Sequence, residues 1–202
     1  MWVVIILFAI VCIAAVVIFA KKKGDERRAE EMQQKIQHIY SNFRFSFARF
    51  TETEIVRTSM HNRPITAAFL FVMTDFLISE KYATQRPEIS QNIHKISEGL
   101  LKPRELEKYD QCISIFGAIV RGQIPVRGDW MPIGLPGNMD AIDRIVFCYA
   151  DLLFDPSLIN NYADRTIHLH DAEHSFNFSA QFQGQSKIPL QIYMKGMEQA
   201  LK

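Results

Sequence analysis

The chain has 202 residues, of which 48% are hydrophobic and 22% are charged, and its 23 Lys and Arg against 22 Asp and Glu leave a formal net charge of +1. These averages are typical of a globular protein, and they exclude a disordered chain, a collagen, a disulfide-rich scaffold and a strongly basic nucleic-acid binder. The averages conceal an uneven distribution, because residues 1–20 contain no charged side chain and are followed directly by KKKGDERR.

Residues 1–20 form an apolar segment that predicts a single transmembrane helix. A spanning helix needs about 20 consecutive apolar residues, and this segment supplies them, with Trp2 at one end and Lys21, Lys22 and Lys23 at the other. An indole ring favours the headgroup level, and lysines snorkel to lipid phosphates. A cleaved signal peptide would need a basic region before its apolar core. Here the first charged side chain comes after the core, which favours a permanent anchor.

The charges that flank this segment predict its orientation. Lys21, Lys22, Lys23, Arg27 and Arg28 follow it, whereas only the α-amino group precedes it. The positive-inside rule therefore places the N-terminus outside and the rest of the chain in the cytoplasm. We expect a single-pass protein of the cell membrane, in which the bilayer and its anionic lipid headgroups are partners of the basic stalk. The predicted organisation is a transmembrane helix at 1–20, a juxtamembrane stalk at 21–35 and a cytoplasmic helical domain at 36–202.

The first half of the cytoplasmic part predicts two helices. Residues 25–60 are expected to form one long helix, because apolar side chains recur at three- and four-residue steps in an amphipathic stripe of Ile36, Ile39, Tyr40, Phe43, Phe47 and Phe50. Residues 65–83 follow Pro64, which suits a first helical position, and are apolar nearly all round, as in a central buried helix. Asp75 within that helix requires a partner, either a structural one or a functional one.

The second half predicts further helices and a small β element. We expect helices at about 88–101, from Pro103 to about Val120, at 140–154 and at 189–202, with a short one at 157–163. The face predicted for the helix after Pro103 comprises Leu106, Tyr109, Ile113, Phe116 and Val120, while Cys112 and Cys148 are expected to be buried thiols. Alternation of apolar and polar residues predicts a hairpin within 165–183. The predicted fold class is thus mainly α, with five to six helices in the cytoplasmic domain.

Residues 122–138 predict a long loop, since they contain four Gly and three Pro. The usual connection between helices is about 4–6 residues, and longer loops tend to carry function. Trp130 and Arg127 belong to residue types that often anchor protein interfaces. We therefore take both as candidates for binding an unidentified protein partner, although an indole that folds back onto the helices is an equal alternative for Trp130.

Three of the six histidines lie close together at His168, His170 and His174, with Glu173 beside them. Imidazoles and carboxylates at this density are the ligands of zinc and related metals. The order H-x-x-E-H at 170–174 matches the inverzincin pattern formally, but such a site needs a third protein ligand and the only acid downstream is Glu198. A non-catalytic metal site, a proton-sensitive site and a solvated turn are the other interpretations.

The sequence favours a non-enzymatic function. It contains no phosphate-binding loop, no dinucleotide-binding glycine pattern and no G-x-S-x-G motif. It has no basic stripe beyond the juxtamembrane segment, so nucleic acid is not an expected partner. We expect a membrane-anchored helical interaction module, acting as an adaptor, assembly factor or regulator without a cofactor. The alternative is a membrane-tethered metal-dependent hydrolase or metal sensor that uses zinc or another divalent metal at His168, His170, Glu173 and His174.

Overall fold

A computed structural model describes the backbone of residues 2–52, 62–121, 141–154 and 191–202, together with residues 156 and 159. It describes side chains from Ile18 onwards within these ranges, except those of residues 143, 144, 147, 150, 151 and 154. The chain divides into two compact units, residues Met1–His38 and Ile39–Lys202. We call the first the N-terminal unit and the second the helical unit.

The N-terminal unit lies within helix α1, which runs from Trp2 to Glu52. From Ile18 to Glu31 every side chain is exposed, including the apolar Ile18 at 67% and Phe19 at 71%. Within the part of the chain whose side chains are described, no helix is long and apolar enough to cross a membrane. The predicted span at 1–20 lies mostly outside that part.

The helical unit is mainly α, as predicted, and contains no strand among its described residues. After the last part of α1, its helices are α2 (Asn62–Ser79), α3 (Arg86–Leu100), α4 (Pro103–Val120), α5 (Ala141–Phe154) and α6 (191–201). Prolines at the starts of α3 and α4 fit first-turn positions, where the backbone donors have no intrahelical acceptor. The predicted hairpin at 165–183 and most of the short helix at 157–163 lie outside the described residues.

Helix α2 is the centre of the helical unit, as its nearly continuous apolar sequence predicts. It packs against α3, α4 and α5, and twelve of its side chains are buried, among them Ile65, Phe69 and Met73. The helix begins at Asn62, earlier than the sequence predicts, so Pro64 lies in the first turn rather than at the first position. A proline is tolerated at this place because none of the first four backbone N–H groups of a helix has an intrahelical acceptor.

Four aromatic rings from four helices form a cluster in the described core. Phe69 of α2 stacks on Tyr149 of α5, with centroids 4.1 Å apart and planes at 9°. Phe50 of α1 and Phe116 of α4 meet Phe69 edge to face, at 6.0 Å and 6.1 Å. Rings in these geometries contribute about 0.5–1.5 kcal/mol each beyond their buried area. The cluster therefore ties α1, α2, α4 and α5 together at one point.

The buried face of α4 differs from the predicted one. Tyr109 and Phe116 are buried as expected, but Leu106, Ile113 and Val120 are only partly buried, and the remaining buried apolar positions are Cys112, Ile115 and Ile119. The reason is that α2 and α5 both pack against α4, so its buried surface is wider than a single stripe and turned toward these two helices. Cys112 and Cys148 are buried as predicted, and burial raises the pKa of the Cys112 thiol to about 12.

Candidate functional site

The basic segment after the apolar run is the predicted site that the structure describes best. Lys21, Lys22, Lys23, Arg27 and Arg28 are all exposed on α1. Two of them form ion pairs along the helix: Lys22 Nζ lies 3.9 Å from Glu26 Oε1, and Arg27 Nε donates to Glu31 Oε1 at 3.2 Å. Such exposed pairs contribute little stability, about 0.3–0.5 kcal/mol. In the structure both pairs direct the side chains of Lys22 and Arg27 toward the C-terminal end of α1.

The other predicted site residues lie outside the described side chains. These are Trp2 at the start of α1, Arg127 and Trp130 in the 122–138 segment, and the candidate metal ligands His168, His170, Glu173 and His174. Among the residues that are described, no three His, Cys, Asp or Glu side chains come close enough together to hold a metal ion. The metal and partner-binding interpretations therefore stay predictions.

Asp75 has a structural partner. Its carboxylate accepts two hydrogen bonds from the Arg86 guanidinium, at 3.0 Å and 2.5 Å, and a third from the Ser90 hydroxyl. Arg86 is the first residue of α3, so the pair joins the C-terminal part of α2 to the start of the next helix. The hydrogen bonds that Arg86 donates to Asp75 raise the pKa of Arg86 above its ordinary value. This geometry favours the structural explanation of a partly buried acid.

A second polar node joins α2 to the α3–α4 turn. Arg63 donates to the carbonyl of Leu100 at 2.7 Å, and its Nε lies 3.7 Å from Glu105 Oε1. The other Glu105 oxygen accepts from the backbone N–H of Lys102 at 2.7 Å, which caps α4. The Arg63 guanidinium also lies over the ring of Phe47, 5.4 Å from its centroid. Arg63 and Glu105 thus contact the end of α3 and the start of α4.

One cluster of titratable side chains was not anticipated from the sequence. His94 Nδ1 and the Tyr109 hydroxyl are 3.0 Å apart, the two rings stack at 5.4 Å, and His94 Nε2 lies 3.5 Å from Glu98 Oε1. Tyr109 also hydrogen-bonds Ser97, and both are fully buried. The signal available in the sequence was the His94–Glu98 spacing of four residues on one helix face.

The pKa of the buried Tyr109 phenol does not suit acid–base catalysis. Burial is the main cause that raises the pKa of Tyr109 well above its usual value. A phenol held in its neutral form is a poor proton donor at neutral pH, since efficient general acids have a pKa near the working pH. The arrangement instead pairs α3 with α4 through a stacked and hydrogen-bonded contact.

Two further tyrosines are fully buried and hydrogen-bonded to threonines of α2. Tyr149 OH lies 2.8 Å from Thr66 Oγ1, and Tyr193 OH lies 2.6 Å from Thr74 Oγ1. Thr74 also donates its one hydroxyl hydrogen to the carbonyl of Leu70 at 2.7 Å. Thr74 must therefore accept in the second contact, and Tyr193 is the donor.

Helix α6 is held by polar contacts at three places. Besides the Tyr193–Thr74 bond, Asn42 of α1 donates to the carbonyl of Tyr193 at 3.2 Å, and the Tyr82 hydroxyl donates to the carbonyl of Ala200 at 2.9 Å. Helices α1 and α6 also approach each other closely at Gly196, where an added Cβ would collide with the Asn42 side chain. Directional contacts of this kind fix the rotation and register of α6.

Replacing Thr74 with Val is expected to destabilise the helical unit by about 1–3 kcal/mol, because the buried Tyr193 donor loses its acceptor. Tyr193→Phe is expected to cost less, since Thr74 keeps its bond to Leu70. The double variant should therefore lose less stability than the two single losses added together. Urea titration of the full chain in a nonionic detergent measures the free energies of unfolding.

The matched control for the Thr74 and Tyr193 variants is Thr51→Val. Among the described residues, Thr51 donates to carbonyls of its own helix, those of Phe47 and Ala48, so its replacement leaves no described polar side chain without its partner. We expect a change within about 0.5 kcal/mol, as for an ordinary surface substitution. Equal losses at positions 51 and 74 would show that the Tyr193–Thr74 bond contributes nothing.

No protein-family model, curated protein or solved structure matches this chain.

Proposed function

We propose that this chain is a single-pass membrane protein whose helical unit binds another protein at the cytoplasmic face of the membrane. The observation that carries this proposal is the boundary at Ala20 and Lys21, where 20 apolar residues meet three consecutive lysines. A run of this length suits a bilayer core of about 30 Å. The exposure of Ile18 and Phe19 on α1 supports it, because lipid would cover large apolar side chains that no other described part of the chain covers.

The organisation of the helical unit favours a binding module over an enzyme. Several of its polar side chains connect one helix to another: Asp75 with Arg86, Glu105 with Arg63, and the buried tyrosine hydroxyls with threonines. A rigid helical unit on a membrane anchor raises its effective concentration for partners at the same surface. The candidate contact residues are Trp130 and Arg127 of the Pro- and Gly-rich segment, since Trp and Arg are frequent interface anchors.

Membrane insertion and orientation are tested on the full chain in cells. We expect the chain to resist alkaline carbonate extraction, a C-terminal alkaline phosphatase fusion to be inactive, and a C-terminal fluorescent fusion to be bright. Replacing Lys21, Lys22 and Lys23 with Asn should give mixed orientation, whereas Lys195→Asn, far from the apolar run, should not. An active phosphatase fusion would contradict the cytoplasmic placement, and extraction by carbonate would contradict the anchor.

Partner binding is tested by photo-crosslinking in membranes. A photoreactive residue at position 130 is expected to give one discrete protein adduct, while the same residue at Gln91, exposed on α3, should give none. Identical adduct patterns from the two positions would contradict a specific surface around Trp130. Stoichiometric zinc in the purified full chain that His170→Ala/His174→Ala removes would overturn the non-enzymatic proposal and favour the metal-dependent alternative.

A further inference from the structure

The five cations of the basic segment are not equivalent in the structure. Glu31 holds Arg27 by a hydrogen bond at 3.2 Å, whereas the neighbouring Arg28 has no ion pair with any described residue. Both are exposed and both follow the apolar run, but they differ in what their guanidinium groups contact and in their direction around the axis of α1, by about 100°. A guanidinium with no carboxylate partner is available for a phosphate, which it binds well in a bidentate geometry.

We propose that Lys21 and Arg28 together bind the headgroup of an anionic phospholipid, and that Arg27 does not take part. This inference rests on the proposed membrane anchor, and it names the lipid class and the residues that select it. Seven residues make close to two helical turns, so Lys21 and Arg28 lie about 20° apart around the axis of α1. The two cations therefore face the same lipid.

Their positions along the axis allow both charges to reach one headgroup layer. At a rise of 1.5 Å per residue, Lys21 lies about 1.5 Å and Arg28 about 12 Å beyond Ala20. The headgroup layer of one leaflet is about 5–7 Å thick. Lys21 reaches outward into this layer by snorkelling. Arg28 reaches back into it, because helical side chains tilt toward the N-terminus, which is here the membrane side.

Arg27 points the other way. Its partner Glu31 lies four residues toward the C-terminus, so the ion pair holds the guanidinium away from the apolar run. Turning it toward a phosphate would break this pair, at a cost of about 0.3–0.5 kcal/mol. The charge of Arg27 is also balanced by the carboxylate of Glu31, whereas Arg28 has no carboxylate partner among the described residues.

Asp25 is the acid nearest to the proposed site. It lies four residues after Lys21 and three before Arg28, and it forms no ion pair with either in the described part of α1. A carboxylate at this place repels an anionic headgroup and limits the affinity of the site. Replacing Asp25 with Asn should therefore strengthen lipid binding, which is the opposite of the effect expected for Arg28→Gln.

The experiment uses the full chain reconstituted in phosphatidylcholine bilayers with a trace of spin-labelled lipid. Electron paramagnetic resonance gives the association constant of labelled phosphatidylserine relative to labelled phosphatidylcholine. Arg28→Gln is expected to lower this ratio about fivefold at the bound site, which corresponds to about 1 kcal/mol for one cation. Arg27→Gln removes the same charge from the next position and should lower the ratio less than twofold, while Asp25→Asn should raise it.

Salt separates a charge effect from a packing effect. In 1 M NaCl the screening length falls to about 3 Å, so the preference for phosphatidylserine and the difference between the two arginine variants should disappear. Equal losses for Arg27→Gln and Arg28→Gln, or no loss for Arg28→Gln at low salt, would overturn the proposal while leaving the anchor intact. Extraction of the reconstituted chain by carbonate would overturn the proposed anchor and this inference with it.

Discussion

Raising the pH above about 10 is expected to unfold the helical unit in one cooperative step. Burial raises the pKa of Tyr109, Tyr149 and Tyr193 well above the usual value for tyrosine. Because the folded state keeps these protons longer than the unfolded state, their contribution is complete below pH 10 and is lost as the pH rises further. The loss is about 1.4 kcal/mol per pH unit for each phenol. The Cys112 thiol, whose pKa burial raises to about 12, adds to the loss from about pH 9 upward.

Two simultaneous signals measure this transition on the full chain in detergent. Absorbance at about 295 nm reports tyrosinate, and far-ultraviolet circular dichroism reports helix. The ionisation of the three buried phenols should coincide with the loss of helix, whereas that of the other three tyrosines need not. Tyr149→Phe removes one raised pKa and should reduce the slope of unfolding free energy against pH by about 1.4 kcal/mol per unit above pH 10. Ionisation of more than three of the six tyrosines with the helix content unchanged would contradict this expectation.

Replacing Phe69 with Ala is expected to cost the helical unit about 3–5 kcal/mol of unfolding free energy. Phe69 is fully buried and is the ring that Phe50, Phe116 and Tyr149 all contact. Truncation removes its transfer free energy, leaves a cavity between four helices and deletes three ring contacts. A loss of this size is a large fraction of the total stability of a typical domain, about 5–15 kcal/mol.

The control for Phe69 is Phe45, an aromatic residue on α1 that is 47% exposed. Its ring lies under the Arg49 guanidinium, 5.2 Å from the centroid, and makes no ring–ring contact in the described residues. Phe45→Ala is expected to cost less than about 1 kcal/mol, since an exposed cation–π pair contributes about 0.5–1 kcal/mol. Urea titration of the full chain compares the two variants. A similar cost at both positions would show that the four-ring cluster does not hold the helices together.

The positions of the helices along the chain could be predicted from local sequence patterns. Proline positions and three- to four-residue apolar spacing placed α3, α4 and α5 within two residues of their starts, because a helix is stabilised by contacts between neighbours in sequence. The same spacing was less informative about which face of a helix is buried. It placed Ile113 on the buried side of α4 but not Ile115, since the orientation of a face depends on which helices lie against it.

The polar contacts could not be predicted in this way. Asp75 was recognised as an acid in need of a partner, yet Arg86 is eleven residues away and becomes its partner only through the turn between α2 and α3. The Thr74–Tyr193 bond joins residues 119 positions apart. Nothing local marks such a pair, because a threonine in one helix and a tyrosine in another acquire a partner only when both helices are packed.

The sequence by itself determined the apolar run at 1–20, the basic segment that follows it and the helical class of the rest, because hydropathy, charge and periodicity are local properties. Only the tertiary structure decided how the charged and hydroxyl groups of the helical unit are used, because Asp75, Glu105 and the buried tyrosines connect helices to one another. The physical reason is that a polar side chain takes its role from the atoms within about 3–4 Å of it, and those are set by packing.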